Sequence, residues 1–242
     1  MSKDTAAPQT AARVSLETAG VDGPAMAALA ERHAAITGAD AAEGPSVLVF
    51  ADNDAARLDE ALAPPRMGGL ELPVPDPSAG DRLLPWVAQG GAGLSLTAAT
   101  AYRDEVARHV ADALVTRAEL SAETRDSVEL ALQEAIANAV FHGSLEVDPD
   151  LRDSAEGFKA FVETVDARLE QPEYGGRRVD VLASWAGDTV EFAVLDRGPG
   201  YSGPPQVAPN AAHGRGLALI AALARHVGVE EGGRRLVMRF QR

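Results

Sequence analysis

The sequence predicts an α/β protein, and three observations lead to that fold class. Short apolar runs suited to buried strands alternate with helical patterns over the first 80 residues. In the later part, two alternating segments joined by Ala186-Gly187-Asp188 predict a β-hairpin. Apolar residues make up 46% of the 242 residues. The chain is therefore long enough and apolar enough to bury a sizeable core.

The first 80 residues are predicted to form a small α/β unit. Its predicted elements are strands at 13–17, 46–50 and 70–74 and helices at 24–36 and 54–62. The proline-rich residues 73–77 are predicted to link this unit to the remainder of the chain. Dimerisation and docking of a partner are the two roles that we consider for it.

Asp52 and Asp54 follow the predicted strand at 46–50 and raise the question of a receiver domain. A receiver needs a full domain of roughly 100–150 residues, and this unit is too short for one. We therefore interpret the two acids as caps of the next helix.

The second region, residues 84–242, has a more regular pattern. Helices are predicted at 96–116, 121–143, 158–169 and 217–227, and strands at 179–185, 189–195 and 236–240. Ser121 is the candidate N-cap of the second of these helices. The apolar stripe of that helix includes Val128, Leu132 and Ile136, which share one helix face.

Composition and charge exclude several classes of function. The formal net charge is -14, so a nucleic acid or a membrane surface would repel the chain. Arg177-Arg178 and Arg234-Arg235 are too few to form a basic patch, and we interpret both pairs as solvated strand ends. The chain has no cysteine, no signal-peptide pattern and no apolar run of the roughly 18 residues that a membrane-spanning helix needs. These observations predict a cytoplasmic protein without disulfides.

The first candidate motif lies on the helix predicted at 121–143. Glu134, Asn138 and His142 are spaced four residues apart and therefore share one helix face, with a drift of about 40° per step. A carboxamide oxygen can bind Mg²⁺. A carboxylate beside it can accept a proton from an attacking hydroxyl or water. A solvated helix edge can carry the same residues, so this motif alone is a weak signal.

The second motif, Asp196, Gly198 and Gly200, directly follows the strand predicted at 189–195. A carboxylate at this place can accept a hydrogen bond from the exocyclic amine of adenine. The glycines let a flat base approach the backbone. An ordinary tight turn is the structural alternative for these three residues.

The third motif, Gly214-Arg215-Gly216-Leu217, opens the helix predicted at 217–227. Free backbone N–H groups at a helix start bind anions, so phosphates would lie here, with Arg215 or His213 adding charge. Residues 201–213 are rich in glycine and proline and are predicted to close over a nucleotide as a lid. A plain loop-to-helix junction is the alternative. The order of the three motifs along the chain favours an adenine nucleotide with Mg²⁺.

Together the three motifs resemble those of the GHKL ATPases, a family that includes gyrase, histidine kinases and anti-sigma serine kinases. Residues 134–143 resemble the N-box of that family, residues 196–200 its G1 box, and residues 214–217 its G2 box. The resemblance covers about two thirds of the chain, residues 84–242. It implies the Bergerat ATPase fold, in which helices cover one face of a mixed sheet.

Within that family the chain most resembles the RsbW type of anti-sigma-factor kinase. The N-box helix, the short lid, the missing H-box and the run at 174–181 carry this resemblance. It implies ATP and Mg²⁺ as cofactors, Glu134 as general base, Asn138 as the Mg²⁺ ligand and Asp196 as the adenine reader. The other implied ATP-binding residues are His142, Gly198, Gly200, Gly214, Arg215, Gly216 and Leu217.

By the same resemblance the chain is a serine/threonine kinase that phosphorylates a STAS-type antagonist and binds a sigma factor, with homodimerisation left open. The alternatives are a histidine-kinase-like ATPase of a two-component pathway and a non-catalytic ATP-binding module. Glu134 favours the kinase over the module, and the missing H-box argues against the two-component reading. His109 lacks the acid and proline expected after a phosphorylated histidine, so we predict a structural or surface role for it.

Two features depart from the family's pattern. The family often has a threonine in the last strand near adenine, where this chain has an arginine within Gly-Gly-Arg-Arg-Leu-Val at 232–237. Between Leu145 and Gly176 lies an acidic, helical insertion that is longer than the minimal domain needs. We expect the first feature to alter adenine recognition and the second to reshape the partner surface.

Overall fold

The computed structural model describes residues 12–37, 44–51, 55–74, 76–200 and 215–242, which form a nine-stranded mixed sheet with packed helices. The strands are β1 (Ser15–Ala19), β2 (Ile36–Thr37), β3 (Ser46–Phe50), β4 (Arg66–Glu71), β5 (Ala92–Thr97), β6 (Arg178–Ala186), β7 (Thr189–Leu195), β8 (His226–Glu230) and β9 (Arg235–Gln241). The helices are α1 (Gly23–His33), α2 (Ala55–Leu62), α3 (Leu83–Ala88), α4 (Ala98–Arg103), α5 (Val106–Arg117), α6 (Ala122–Asn138), α7 (Ala155–Leu169), α8 (Pro172–Gly175) and α9 (Arg215–Leu223). The predicted α/β class is confirmed.

The first half of the sheet is parallel. Its strand order is β2-β1-β3-β4-β5, and each neighbouring pair runs in the same direction. This is the strand order of the flavodoxin-like doubly wound sheets. All five residues of β3 are buried, as expected for a parallel strand that is covered on both faces. The alternation predicted for the first 80 residues is therefore observed, while Asp52 and Asp54 lie outside the described residues.

The second half of the sheet is antiparallel, in the order β5-β6-β7-β9-β8. The predicted hairpin joins β6 to β7, where Ala186 pairs with Thr189. Strand β5 pairs with β4 on one side and β6 on the other, so the sheet runs without a break from the N-terminal elements into the later ones. The division of the chain into residues 1–80 and 84–242 stays a prediction.

Helices cover the two faces of the sheet unequally. The larger core cluster holds buried side chains of α2, α5, α6, α7 and α9 against one face. The smaller cluster holds α1 and α3 against the other face. Helix α6 begins where the sequence predicts, because the Ser121 hydroxyl accepts a hydrogen bond from the Thr124 N–H at 3.1 Å. Its predicted stripe, including Val128 and Leu132, is buried in the larger cluster.

The single helix predicted at 96–116 is wrong. Residues 92–97 form β5, and the helical part is divided into α4 and α5 by the extended residue Asp104. The Thr97 hydroxyl caps α4 by accepting a hydrogen bond from the Thr100 N–H at 3.2 Å. Every residue of β5 is buried between two neighbouring strands, and a continuous apolar run of this kind does not distinguish a buried strand from a helix.

Two further boundaries differ from the prediction. The helix predicted at 217–227 ends at Leu223, and residues 226–230 form the unpredicted strand β8, whose hydrogen-bond partner is β9. The strand predicted at 70–74 is β4, which ends at Glu71. In both places strand pairing decides where the strand lies, since β4 pairs with β3 and β5, and β8 forms a hairpin with the neighbouring β9.

Candidate nucleotide-binding site

Helix α6 places Glu134 and Asn138 at the edge of the larger core. Their neighbours Ala131, Ala135 and Ile136 are buried, whereas the two polar side chains are only partly buried. Neither side chain hydrogen-bonds or ion-pairs with another described residue. The two groups are therefore available to a ligand, as the first motif predicts.

The start of α9 lies directly against these two side chains. A Cβ atom on Gly216 would be 2.6 Å from Glu134 Oε2 and 3.4 Å from Asn138 Nδ2. A larger residue at position 216 would displace the Glu134 carboxylate. The free N–H groups of that helix start would face an anion bound beside Glu134 and Asn138. The first and third motifs thus meet in space.

Asp196 follows β7 and packs against the end of the α6 helix. A Cβ on Gly143 would be 2.5 Å from one carboxylate oxygen of Asp196 and 2.6 Å from the other. The same carboxylate accepts a hydrogen bond from the Gly198 N–H at 2.8 Å. Burial raises the pKa of Asp196 to about 6, although the Gly198 hydrogen bond and the charges of Arg234, Arg177 and Arg197 act in the opposite direction. The carboxylate is thus a desolvated acceptor.

The two glycines of the second motif allow a tight turn. A Cβ on Gly198 would lie 2.5 Å from the carbonyl carbon of Gly143. Gly200 has a φ of +83°, and a Cβ there would overlap the carbonyl oxygen of Gly232. The turn after β7 is consequently held between the end of the N-box segment and the β8–β9 turn.

The helix changes its geometry after Asn138. Residues Ala139–Ser144 form a π-helix, which has more residues per turn than an α-helix. The even four-residue spacing therefore does not carry from Asn138 to His142. The His142 ring instead has its Nδ1 atom 3.1 Å from the Val147 carbonyl oxygen. Its part in ATP binding stays a prediction.

The remaining predicted residues lie at the start of α9. Leu217 is partly buried and packs against the larger core cluster, so it anchors the start of α9 to the core. Arg215 is the first residue of α9, but its side chain is outside what the structure describes, as are Gly214 and the predicted lid at 201–213. Contacts of these residues with ATP stay predictions.

The donor set fits Mg²⁺ shared with a nucleotide rather than a protein-only metal cage. No group of three or more His, Asp or Glu side chains suited to a metal ion occurs within the described ranges. Mg²⁺ characteristically takes one or two protein oxygens and completes its shell with phosphates and water. The Asn138 amide and the neighbouring Glu134 carboxylate can supply such oxygens beside the start of α9.

Arg178 was wrongly predicted as a solvated strand end. It is 3% exposed, its Nε donates to Asp76 Oδ2 at 2.8 Å, and an Nη atom donates to the Glu71 carbonyl oxygen. Its neighbour Arg177 donates to the Ser144 carbonyl oxygen at 3.0 Å and thereby ties the end of the π-helix to β6. The sequence could not reveal this burial, because Asp76 lies 102 positions away.

Arg235, one of the two arginines in the segment where the family often has a threonine, turns away from the candidate site. The Arg235 guanidinium lies 5.8 Å from the Trp86 ring and 3.5 Å from Glu230 Oε2, on the face that carries α3. Leu236, the next residue, packs against the larger core cluster. The Arg235 side chain therefore does not contribute to the candidate nucleotide site.

Comparison with known families identifies the class of domain. Residues 96–240 match the family model of the histidine kinase-like ATPase domain, which spans more than half of the chain. A search of curated proteins finds no significant relative. The chain belongs to the histidine kinase-like ATPase domain family, and this membership supports an ATP-binding, kinase-like function. None of the helices in the described ranges is long and apolar enough to cross a membrane.

Proposed function

We propose that the chain is an ATP-dependent serine/threonine protein kinase of the anti-sigma-factor type. In this proposal it phosphorylates a STAS-type antagonist and binds a sigma factor. Membership of the histidine kinase-like ATPase family supports the use of ATP. The choice of serine or threonine as acceptor and the two partners rest on the sequence resemblance to RsbW-type kinases.

The observation that carries the proposal is the position of Glu134. Its carboxylate is partly exposed and has no hydrogen-bond or ion-pair partner among the described residues. It lies where a Cβ on Gly216 would come within 2.6 Å of Oε2, at the start of α9. A general base must lie within reach of the hydroxyl that it deprotonates. A phosphate bound at the α9 start would place the terminal phosphoryl group near this carboxylate.

The proposed reaction is a direct phosphoryl transfer. The α9 start would bind phosphate oxygens, and Asn138 would hold a Mg²⁺ ion, which supplies positive charge to the phosphoryl group. The Glu134 carboxylate accepts the proton of a serine or threonine hydroxyl as its oxygen attacks the terminal phosphorus, and ADP leaves. Asp196 accepts a hydrogen bond from the adenine amine.

His109 does not favour the two-component alternative. Its side chain is 4% exposed, and its Nδ1 lies 2.5 Å from Asp59 Oδ1, which joins α5 to α2. A phosphoacceptor histidine has to be reached by the phosphoryl donor, and this one is enclosed. The predicted structural role of His109 fits this packing.

The proposal is tested with the Glu134→Gln variant, radiolabelled ATP and the candidate antagonist from the gene neighbourhood. The variant should bind ATP as the parent does, since the two side chains are nearly isosteric. Phosphotransfer to serine should fall about 10²–10⁴-fold, the range for general base catalysis. Glu123→Gln, an exposed acid in the first turn of the same helix, is the matched control and should keep full activity.

The label itself separates the alternatives. Acid-stable label on serine or threonine that is lost with Glu134→Gln supports the kinase. Acid-labile label on histidine would replace the proposal with the two-component reading. ATP-dependent partner binding without any label would identify a non-catalytic module.

A further inference from the structure

A second cavity lies behind Asp196, on the sheet face that carries α3. Its volume is about 190 Å³, well above the roughly 10–15 Å³ that one water needs. It is lined by Arg82, Leu195, Asp196, Arg197, Glu231 and Arg234. Leu195 belongs to the smaller core cluster, together with residues of α3. The cavity is therefore separate from the α6 and α9 groups of the nucleotide site, although Asp196 borders both.

Three arginines from separate segments converge on this cavity. Arg82 precedes α3, Arg197 follows β7, and Arg234 precedes β9. They stand out in a chain whose net charge is -14, because the rest of the surface repels anions. The planar guanidinium group of arginine can donate two parallel hydrogen bonds to phosphate oxygens, so this residue type indicates a phosphate-bearing ligand.

The charges of the three arginines are only partly matched. Arg82 is held by Glu231 through two hydrogen bonds of 3.2 and 2.6 Å. Arg197 Nη2 is 3.4 Å from the buried carboxylate of Asp180. Arg234 donates to the Glu231 carbonyl oxygen at 3.2 Å and ion-pairs with none of the described carboxylates. Asp196 and Glu231 also line the cavity and offset part of its positive charge, and Arg234 is the guanidinium there that no described carboxylate holds in an ion pair.

An unsatisfied donor points to the same ligand. The Nε atom of Arg197 is buried and has no hydrogen-bond partner among the described residues. Buried donors without a partner are rare in native proteins, since each costs the desolvation of an N–H group. An anion in the cavity would supply the missing acceptor for Arg197.

We propose that this cavity binds a phosphate group, as free inorganic phosphate or as the phosphate monoester of a modified side chain. Arg197 and Arg234 donate hydrogen bonds to its oxygens. Arg82, which Glu231 holds in place, adds positive charge to the lining of the cavity. This site is distinct from the place of the ATP phosphates at the start of α9. Its existence does not depend on kinase activity.

One consequence concerns the nucleotide and rests on the proposed role of Asp196. The charges of Arg234 and Arg197 lower the pKa of Asp196 against the larger effect of burial. An anion bound between these guanidinium groups would weaken their lowering effect on the pKa of Asp196 and would therefore favour its protonated form. Phosphate in the cavity should therefore weaken adenine binding near neutral pH.

The site is tested by NMR, which follows the arginine Nε–Hε signals of the ¹⁵N-labelled full chain. Signals are assigned with the single variants Arg82→Lys, Arg197→Lys and Arg234→Lys, and inorganic phosphate and O-phosphoserine are titrated separately. We expect the Arg197 and Arg234 signals to shift along one saturable curve. Arg234→Gln should weaken that binding about ten- to hundred-fold, as expected for the loss of a charged hydrogen bond. Arg234 is exposed, so the variant should fold.

Arg239→Gln is the matched control, because Arg239 lies on β9, which begins directly after Arg234, and pairs with Glu191 at 2.6 Å, outside the cavity. It should bind phosphate as the parent does. If O-phosphoserine binds more tightly than inorganic phosphate, the ligand of the cavity is the phosphate monoester of a modified side chain. If the two bind equally, the ligand is free phosphate. Non-saturating shifts, or equal losses in Arg234→Gln and Arg239→Gln, would overturn the proposal. No step uses ATP, so failure of the kinase proposal would not affect the result.

Discussion

The Asp196 carboxylate rests against the α-carbon of Gly143, so that a side chain at position 143 would occupy the space of its oxygens. Two motifs that are 53 positions apart thus meet without an intervening side chain. The contact fixes the position of the Asp196 carboxylate, the proposed acceptor for the adenine amine, against the π-helix. It also desolvates the carboxylate and contributes to its raised pKa.

Gly143→Ala should therefore weaken the binding of adenine by the Asp196 carboxylate. The new methyl group would force the Asp196 carboxylate or the turn after β7 to move, and overpacking of this kind costs roughly 1–3 kcal/mol. We expect calorimetry to show weaker ATP binding together with a lower melting temperature. Gly23→Ala is the control, because a Cβ on Gly23 meets no atom within 4 Å. Unchanged ATP affinity in Gly143→Ala would show that Asp196 is not the adenine acceptor.

ATP affinity should depend on pH through Asp196. Its pKa is about 6 instead of the usual 3.8, because burial disfavours the charged form. The adenine amine needs an ionised acceptor, so affinity should rise as the pH increases through about 6 and fall by up to about tenfold per unit below it. The folding stability contributed by this carboxyl has the opposite sign: it is present at low pH and is lost as the pH rises from about 4 to about 6.

Asp196→Asn is the control for that pH dependence. The variant keeps the shape of the side chain but has no titrating group, and it should bind ATP about ten- to hundred-fold more weakly than the parent at pH 8. Calorimetric titrations at several pH values would compare the two proteins. The same pH profile in both would assign the titration to another group.

The effect of Mg²⁺ on ATP binding should depend on Asn138. The side chain is only partly buried and contacts no described hydrogen-bond partner, so Asn138→Ala should keep the fold. Without the amide oxygen, ATP affinity should respond much less to added Mg²⁺. Gln133→Ala, an exposed amide on the same helix, serves as the control. A full Mg²⁺ response in Asn138→Ala would place the ion on other ligands.

Arg178→Met should destabilise the whole chain. Burial raises the pKa of Asp76, but hydrogen bonds from Arg178 and Ser78 outweigh it and hold that pKa below its usual value. Removing the arginine leaves Oδ2 of this carboxylate and the Glu71 carbonyl oxygen without the donor that Arg178 supplies. Breaking a fully buried pair typically costs about 3–5 kcal/mol, and the Asp76 side chain is 25% exposed, so we expect a loss of about 3 kcal/mol. This loss corresponds to a melting temperature lower by roughly 6–12 °C in a protein of this size.

The exposed pair of Arg239 and Glu191 is the comparison for that experiment. Its two side chains are 51% and 22% exposed, so Arg239→Met should cost about 1 kcal/mol or less. Thermal unfolding of both variants would measure the difference. Equal melting temperatures would mean that Arg178 is not a structural link between β6 and the segment after β4.

The sequence alone was sufficient for the motifs that depend on near neighbours. The Ser121 cap, the buried stripe of α6 and the partly buried pair of Glu134 and Asn138 beside it all follow from helical spacing, and each is found where it was predicted. The β6–β7 hairpin follows in the same way from alternation on either side of a short turn. Such features are decided within a few residues, so a single sequence contains the information for them.

Tertiary structure alone decided the features that depend on distant partners. Residues 92–97 became a strand because β4 and β6 lie on either side of them. Arg178 is buried only because Asp76 and Glu71 fold over it. The contact between Gly143 and Asp196 and the convergence of Arg82, Arg197 and Arg234 have the same origin. Hydrogen bonds and charge pairs between distant segments are properties of the packed chain, and no local pattern of residue types records them.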